Sequence, residues 1–215
     1  LADDLSIEQS VPIADLRDAI LSGGRVVALA PGNVEVVDDD GVRSTLPLDA
    51  VRVRAGGGRV AIELADTSIV ALDATDADAP FTLPSTLSGR LLDVGADGVL
   101  AANGSTLELQ TSALLTRALD GDVLVGALSG QSVIAATATT PSILSRATLS
   151  SLTTLPLDGT PAALVVRDGS AYVLDDAGTL TVIDVRAPAR PVAVLSQAMP
   201  GVRALAATAR GILAG

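Results

Sequence analysis

Residues 162–201 read AALVVRDGSAYVLDDAGTLTVIDVRAPARPVAVLSQAMPG, and this stretch decides the fold. Four short aliphatic and β-branched runs lie in it, at Leu164–Val166, Ala171–Leu174, Leu180–Val185 and Val192–Leu195. Asp168-Gly169 separates the first two, and an Asp-Gly pair between apolar runs is the strongest short-range hairpin signal. Thr181 and Asp184 break the apolar run of the third. Pro191 stands beside the fourth, where a missing N–H does least damage because an edge strand has an unpaired side. The pattern predicts four antiparallel strands, the first innermost and the last outermost.

The same unit recurs along the chain. A turn followed by an apolar pair reads Gly24-Arg25-Val26-Val27, Gly58-Arg59-Val60-Ala61 and Gly98-Val99-Leu100. It returns as Gln131-Ser132-Val133-Ile134, Ser170-Ala171-Tyr172-Val173 and Arg210-Gly211-Ile212-Leu213. From Val26 to Ile212 there are five steps over 186 residues, about 37 each, inside the range of propeller blades. Two further landmarks keep the register. One is an apolar pair closed by a short polar residue, at Val36-Val37-Asp38, Ala71-Leu72-Asp73 and Ile183-Asp184; the other is Leu-Pro-Leu-Asp at Leu46–Asp49 and Leu155–Asp158. Pro47, Pro84 and Pro156 fall, like Pro191, at or beside predicted outermost strands. Further Asp-Gly turns are expected at Asp40, Asp97, Asp120 and Asp158.

These observations predict an all-β chain, a β-propeller of four-stranded antiparallel blades, with five complete blades and a split or incomplete sixth. Residues 1–215 form one such domain, or an excerpt of a longer propeller. Val202–Ala206 and Ile212–Ala214 supply two inner strands of the last blade, and Ser6–Ile13 is expected to pair with them and close the ring. Ala14–Leu21 could make two helical turns, but it sits where the repeat demands a loop and an inner strand. Val26, Val60, Val99, Val133, Tyr172 and Ile212 are expected to be buried between neighbouring sheets.

Composition bounds the function. The chain carries 25 acidic and 14 basic residues, net −11, and every basic residue is Arg. Such a surface repels phosphate backbones, so nucleic acid is excluded as a partner. Arg without Lys, beside abundant Ala and Gly, points to a GC-rich bacterial genome. Cysteine is absent, so there is no disulfide framework or thiol chemistry. No apolar run approaches the roughly 18 residues that span a bilayer. Leu1 in place of Met points to a chain that has been processed or cut.

The last complete unit resembles the LVIVP-type repeat of bacterial and archaeal surface-associated propellers. The resemblance lies in Ala171-Tyr172-Val173, Gly178 to Val185, Pro188, Arg190-Pro191-Val192 and Pro200-Gly201. It implies a propeller in an extracytoplasmic setting whose role is binding or scaffolding, with no catalytic motif to carry over.

With no His, Lys or Cys, the usual general base, Schiff-base amine, imidazole ligand and thiol nucleophile are unavailable. Carboxylate pairs remain, as in glycoside hydrolysis, yet the chain has one Tyr, one Phe and no Trp for a sugar platform. The expected function is therefore a non-enzymatic module that binds protein, with no cofactor; a carboxylate-based hydrolase or lyase on the same fold is the alternative. Four or more carboxylates converging in the central channel would favour that alternative. Asp73, Asp76 and Asp78 are the candidate metal ligands, because hard cations take closely spaced carboxylate oxygens. Pro80 follows and no Gly turns that loop, so the plain reading is a solvated acidic hairpin. Asp38-Asp39-Asp40-Gly41 reads as a turn. Arg52 and Arg54 share one face of a strand, either lining a channel rim or covering the sheet with their stems.

Overall fold

The computed structural model describes residues 13–38, 43–73, 81–208 and 211–215. Among these residues there is no helix, and the strands form five four-stranded sheets and one two-stranded sheet. The first sheet holds β1 (Asp18–Ser22), β2 (Arg25–Ala30), β3 (Asn33–Val37) and β4 (Arg43–Leu46). The second holds β5 (Ala50–Gly56), β6 (Arg59–Leu64), β7 (Ser68–Asp73) and β8 (Phe81–Ser88). The third holds β9 (Arg90–Gly95), β10 (Gly98–Asn103), β11 (Thr106–Gln110) and β12 (Leu114–Ala118). The fourth holds β13 (Val123–Ser129), β14 (Ser132–Thr137), β15 (Pro141–Ser145) and β16 (Ser151–Thr154). The fifth holds β17 (Pro161–Arg167), β18 (Ser170–Asp175), β19 (Thr179–Asp184) and β20 (Val192–Ala198), and β21 (Leu205–Thr208) pairs with β22 (Gly211–Ala214) in the sixth.

Every sheet runs in chain order with antiparallel neighbours, as short hairpins require. The first strands of successive sheets touch in the series β1, β5, β9, β13, β17, β21. The sheets therefore stand as blades, first strands together and later strands radiating outward. Pro84 lies within the outermost strand β8, and Pro47, Pro156 and Pro191 flank β4, β16 and β20. Residues 18–22 form an inner strand, as the repeat demands, and not a helix.

The turn chemistry is only partly that of the sequence reading. Asp168 and Gly169 do join β17 to β18 with φ of 49° and 76°, the double positive-φ turn that matches strand twist. Gly98, however, is the first residue of β10, and the β9–β10 hairpin turns on Ala96-Asp97 instead. Asp158-Gly159 lies in the connection between the fourth and fifth blades. The Asp40 turn lies outside the described residues.

Packing between blades follows a fixed order of faces. Val27 and Leu29 of the first blade meet Val60 and Ile62 of the second. Ala61 of the second meets Ala101 of the third, Leu100 and Ala102 of the third meet Val133 and Ala135 of the fourth, and Ile134 of the fourth meets Ala171 and Val173 of the fifth. Alternate residues of each second strand point to opposite faces, so one set faces the preceding blade and the other the following one.

This order corrects the set expected to be buried. Val60 and Val133 are 5 % and 0 % exposed, but Val26, at the same place in β2, is 38 % exposed. Its face points away from the second blade. Tyr172 is not equivalent to these valines; Ala171 is. Tyr172 occupies the opposite face, between Val165 and Val182. It is half-buried, and among the described residues the sheet beyond it has two strands.

The sixth sheet confirms two inner strands near the C-terminus, with the first starting at Leu205 and not Val202. The proposed partner of this sheet, Ser6–Ile13, lies outside the described residues but for Ile13.

Candidate functional site

The inner strands carry most of the charged side chains that the blades bring together. Asp18 on β1 accepts from the Arg54 guanidinium at 3.3 Å and from the Val53 amide at 3.2 Å, joining the first blade to the second. Arg52 donates to Glu63 Oε2 and to the Leu91 carbonyl, both at 3.3 Å, while Glu63 also accepts from the Leu91 amide at 2.8 Å. Second and third blades are thereby stitched across β5, β6 and β9. Arg90 on β9 donates to the Val123 carbonyl and, at 2.7 Å, to the Leu124 carbonyl. Asp93 accepts from the Leu128 amide at 2.7 Å, so the third blade is tied to the fourth twice over.

The electrostatics follow from this placement. Burial raises the Asp93 carboxyl above its ordinary range, while the Leu128 and Val94 amides and the cations of Arg54 and Arg146 pull the other way. Burial, and then the nearby Arg52, lower the Arg90 guanidinium, with Glu63 opposing. A charge in such a place is retained where hydrogen bonds satisfy it. On the rim, Arg146 pairs with Asp97 and donates to the Gly130 carbonyl at 3.0 Å, again linking third and fourth blades.

Sequence reasoning placed Arg52 and Arg54 on one face of a strand, at a channel rim or over the sheet, and β5 does carry both on the inner strand. Their stems do not simply cover the sheet; their heads tie neighbouring blades. It missed Asp18, Glu63, Arg90 and Asp93. One signal was available: Asp18 and Asp93 each stand 35 residues before the residue whose amide they bind, one repeat away. Of the candidate metal ligands, Asp73 ends β7 opposite Phe81, and Asp76 and Asp78 lie outside the described residues. Among the described residues no three of His, Cys, Asp and Glu converge on one point, and no helix is long and apolar enough to cross a membrane.

Among the described residues, two cavities stand out between blades. The larger, about 390 Å³, lies against the fifth blade, where Val173, Asp175, Thr179, Thr181, Ala193 and Ser196 meet the connection at Pro156–Gly159. The smaller, about 280 Å³, lies beside Arg90, Gly104, Asp122 and Leu124. Asp175 is already engaged, accepting from the Thr179 amide at 2.6 Å.

No protein-family model matches the chain, and no curated protein matches it. Among solved structures it is similar to the WD40 domain of Neurospora crassa Pan2, with a TM-score of 0.66 over 91% of this chain and 69% of that one. Identity is 14%, so the likeness shows the fold, a β-propeller, and not the role.

Proposed function

We propose that this propeller is a non-enzymatic binding or scaffold module of a bacterial, extracytoplasmic protein of the LVIVP-repeat kind, and that its partner is a protein. One observation carries the reading: the inner-strand carboxylates are used up in holding blades together. Asp18, Glu63 and Asp93 each accept an amide from a neighbouring blade. A catalytic acid–base pair needs carboxyl groups facing a substrate, with separated proton affinities. The aliphatic repeat over 171–201 supports the family, the Arg-only cation set supports the bacterial source, and the extracytoplasmic setting rests on the resemblance. A hard cation held by Asp73, Asp76 and Asp78 belongs to the same proposal; a calcium-induced rise in melting temperature, lost when all three are Asn, is its test.

The experiment for the main reading is twofold. In-cell cross-linking should recover one protein whose binding to the purified chain saturates. Ester, glycoside and phosphoester substrates with calcium or manganese should show no turnover. Hydrolysis that disappears in Asp18→Asn, Glu63→Gln or Asp93→Asn, while the fold persists, would overturn the proposal in favour of a carboxylate enzyme.

A further inference from the structure

We infer that the outermost strand of the fifth blade, β20, is a two-fold interface on which a second copy of this chain pairs its own β20, antiparallel. The inference goes beyond the binding-module reading and does not rest on it. All of Val192–Ala198 is exposed, with Val192, Val194 and Leu195 at 58 %, 61 % and 48 %. An edge strand presents a row of outward N–H and C=O groups, and proteins blunt such edges with short strands, prolines or charges. The other outermost strands are blunted: β4 and β16 have four residues each, β8 contains Pro84, and β12 carries Arg117, which donates to the Leu149 carbonyl. β20 has seven residues and neither a charge nor a proline within it. The Met199 amide bonds the Gly178 carbonyl, and Thr181 stands opposite Ser196. By antiparallel alternation the N–H and C=O groups of Ser196 and Ala198 therefore point away from β19. These are the ladder groups that a second strand takes.

Charge selects the second copy as the occupant. At one end of β20 lie Asp184, Arg186 and Arg190; Asp184 and Arg186 pair with each other, which leaves that end positive through Arg190. At the other end the turn between β18 and β19 carries Asp175 and Asp176 beside Arg203, whose guanidinium lies near Gly178. Two carboxylates against one guanidinium leave this end negative, and Asp158, which lines the same cavity as Asp175, adds to that sign. Arg190 and Asp176 are both exposed, and among the described residues neither is held in an ion pair. Antiparallel pairing about a two-fold axis lays the positive end of each copy on the negative end of the other, twice over. Arg190, two residues before β20, then falls beside Met199 and Pro200 of the other copy. From there the Asp175–Gly178 turn is two strand spacings away, about 10 Å, a span that an Arg and an Asp side chain cover together. The apolar middle, Val192, Val194 and Leu195, meets its own counterpart. A foreign strand with one sign of charge at both ends would meet like charge at one of them.

The test is the oligomeric state of the full chain, by sedimentation equilibrium over a range of concentrations at low and high salt. Expected is a monomer–dimer equilibrium whose dissociation constant rises with salt. Ser196→Pro removes an outward donor without touching the β19 ladder, and should give a monomer with the wild-type circular dichroism. Val194→Lys, which places a charge on the edge, should do the same. Arg190→Asp alone and Asp176→Arg alone should each weaken the dimer about tenfold or more, because each sets like charges together at two symmetric places. The double variant exchanges the two signs and should restore the dimer. A chain that stays monomeric at every concentration, or a dimer that survives both Ser196→Pro and Val194→Lys, would overturn the inference. So would a dimer indifferent to salt and to both charge reversals, or single losses that the double variant does not restore. Capture of an extended Val-Thr peptide along β20 by a chain that remains monomeric would overturn it as well, and would assign the edge to a foreign strand.

Discussion

Replacing Val60 by Asp tests the face order of the blades most directly. Val60 is 5 % exposed and packs with Val27, Leu29, Val53 and Ile62 between the first two blades. The substitution removes apolar contact equivalent to about two methyl groups, about 1.6 kcal/mol at roughly 0.8 kcal/mol per group. It also leaves a carboxylate in the interface with no partner, a further penalty of about 3–5 kcal/mol by comparison with broken buried pairs. The total, about 5–7 kcal/mol, reaches the lower end of what a whole domain possesses, about 5–15 kcal/mol. Val133→Asp should be as severe, because that side chain is 0 % exposed. Val26→Asp should cost about 1 kcal/mol or less, since a side chain at 38 % exposure keeps much of its hydration. Urea unfolding followed by circular dichroism supplies the three midpoints. If Val60→Asp unfolds at the wild-type midpoint, its side chain faces water and the strand register is wrong by one residue. If all three variants lose the same stability, the blades do not present two distinct faces in a fixed order.

Other expectations follow from single groups. A Cβ added at Gly56 would run into the Val94 carbonyl of the next blade, so Gly56→Ala should cost about 1–3 kcal/mol or more, measured by the same midpoints. Gly58→Ala meets no atom within 4 Å and carries only the penalty of its +80° φ, about 1 kcal/mol, and should therefore be the milder change. Asp93 has a folded pKa raised chiefly by burial. Its contribution is complete below the ordinary carboxyl value, about 3.9, and is lost as pH rises through the folded value. Relative to Asp93→Asn, the wild type should therefore lose stability on going from acid to neutral pH; a gap independent of pH would refute this. Asp184, held by the Arg186 guanidinium and amide, has its carboxyl at about 2. Carbon-detected titration should find it there, and find it raised towards the normal range in Arg186→Ala, which removes the guanidinium and leaves the residue-186 amide in place.

The period of about 37 residues was readable because each blade repeats the same local problem, an apolar second strand entered from a tight turn. The unit at 162–201 could be parsed strand by strand, since its Asp168-Gly169 turn and its prolines fall where hairpins and edges need them. The identity of Tyr172 was misjudged for a local reason: the tripeptide Ala171-Tyr172-Val173 is apolar on both faces, so alternation cannot say which residue aligns with Val133. The site was less legible than the fold. Asp18, Arg52, Glu63, Arg90 and Asp93 act on amides, carbonyls and charges of other blades, and one sequence does not display which residues a fold sets side by side. Arg52 and Arg54 could be placed on a common face by parity alone, but their acceptors could not.

Because every blade offers one face forwards and a different one backwards, the contact between neighbours is directional, each surface complementary to its successor and not to itself. A directional contact does not terminate: repeated, it closes into a ring if the rotation per step divides a full circle, and otherwise runs on as an open helix. The number of blades is therefore set by the angle between sheets and not by the chemistry of any single interface. A unit of this kind can be duplicated or deleted in the middle of the stack with both new neighbours already fitted to receive it. In any such stack only the first and last members differ, because each presents one half of a joint.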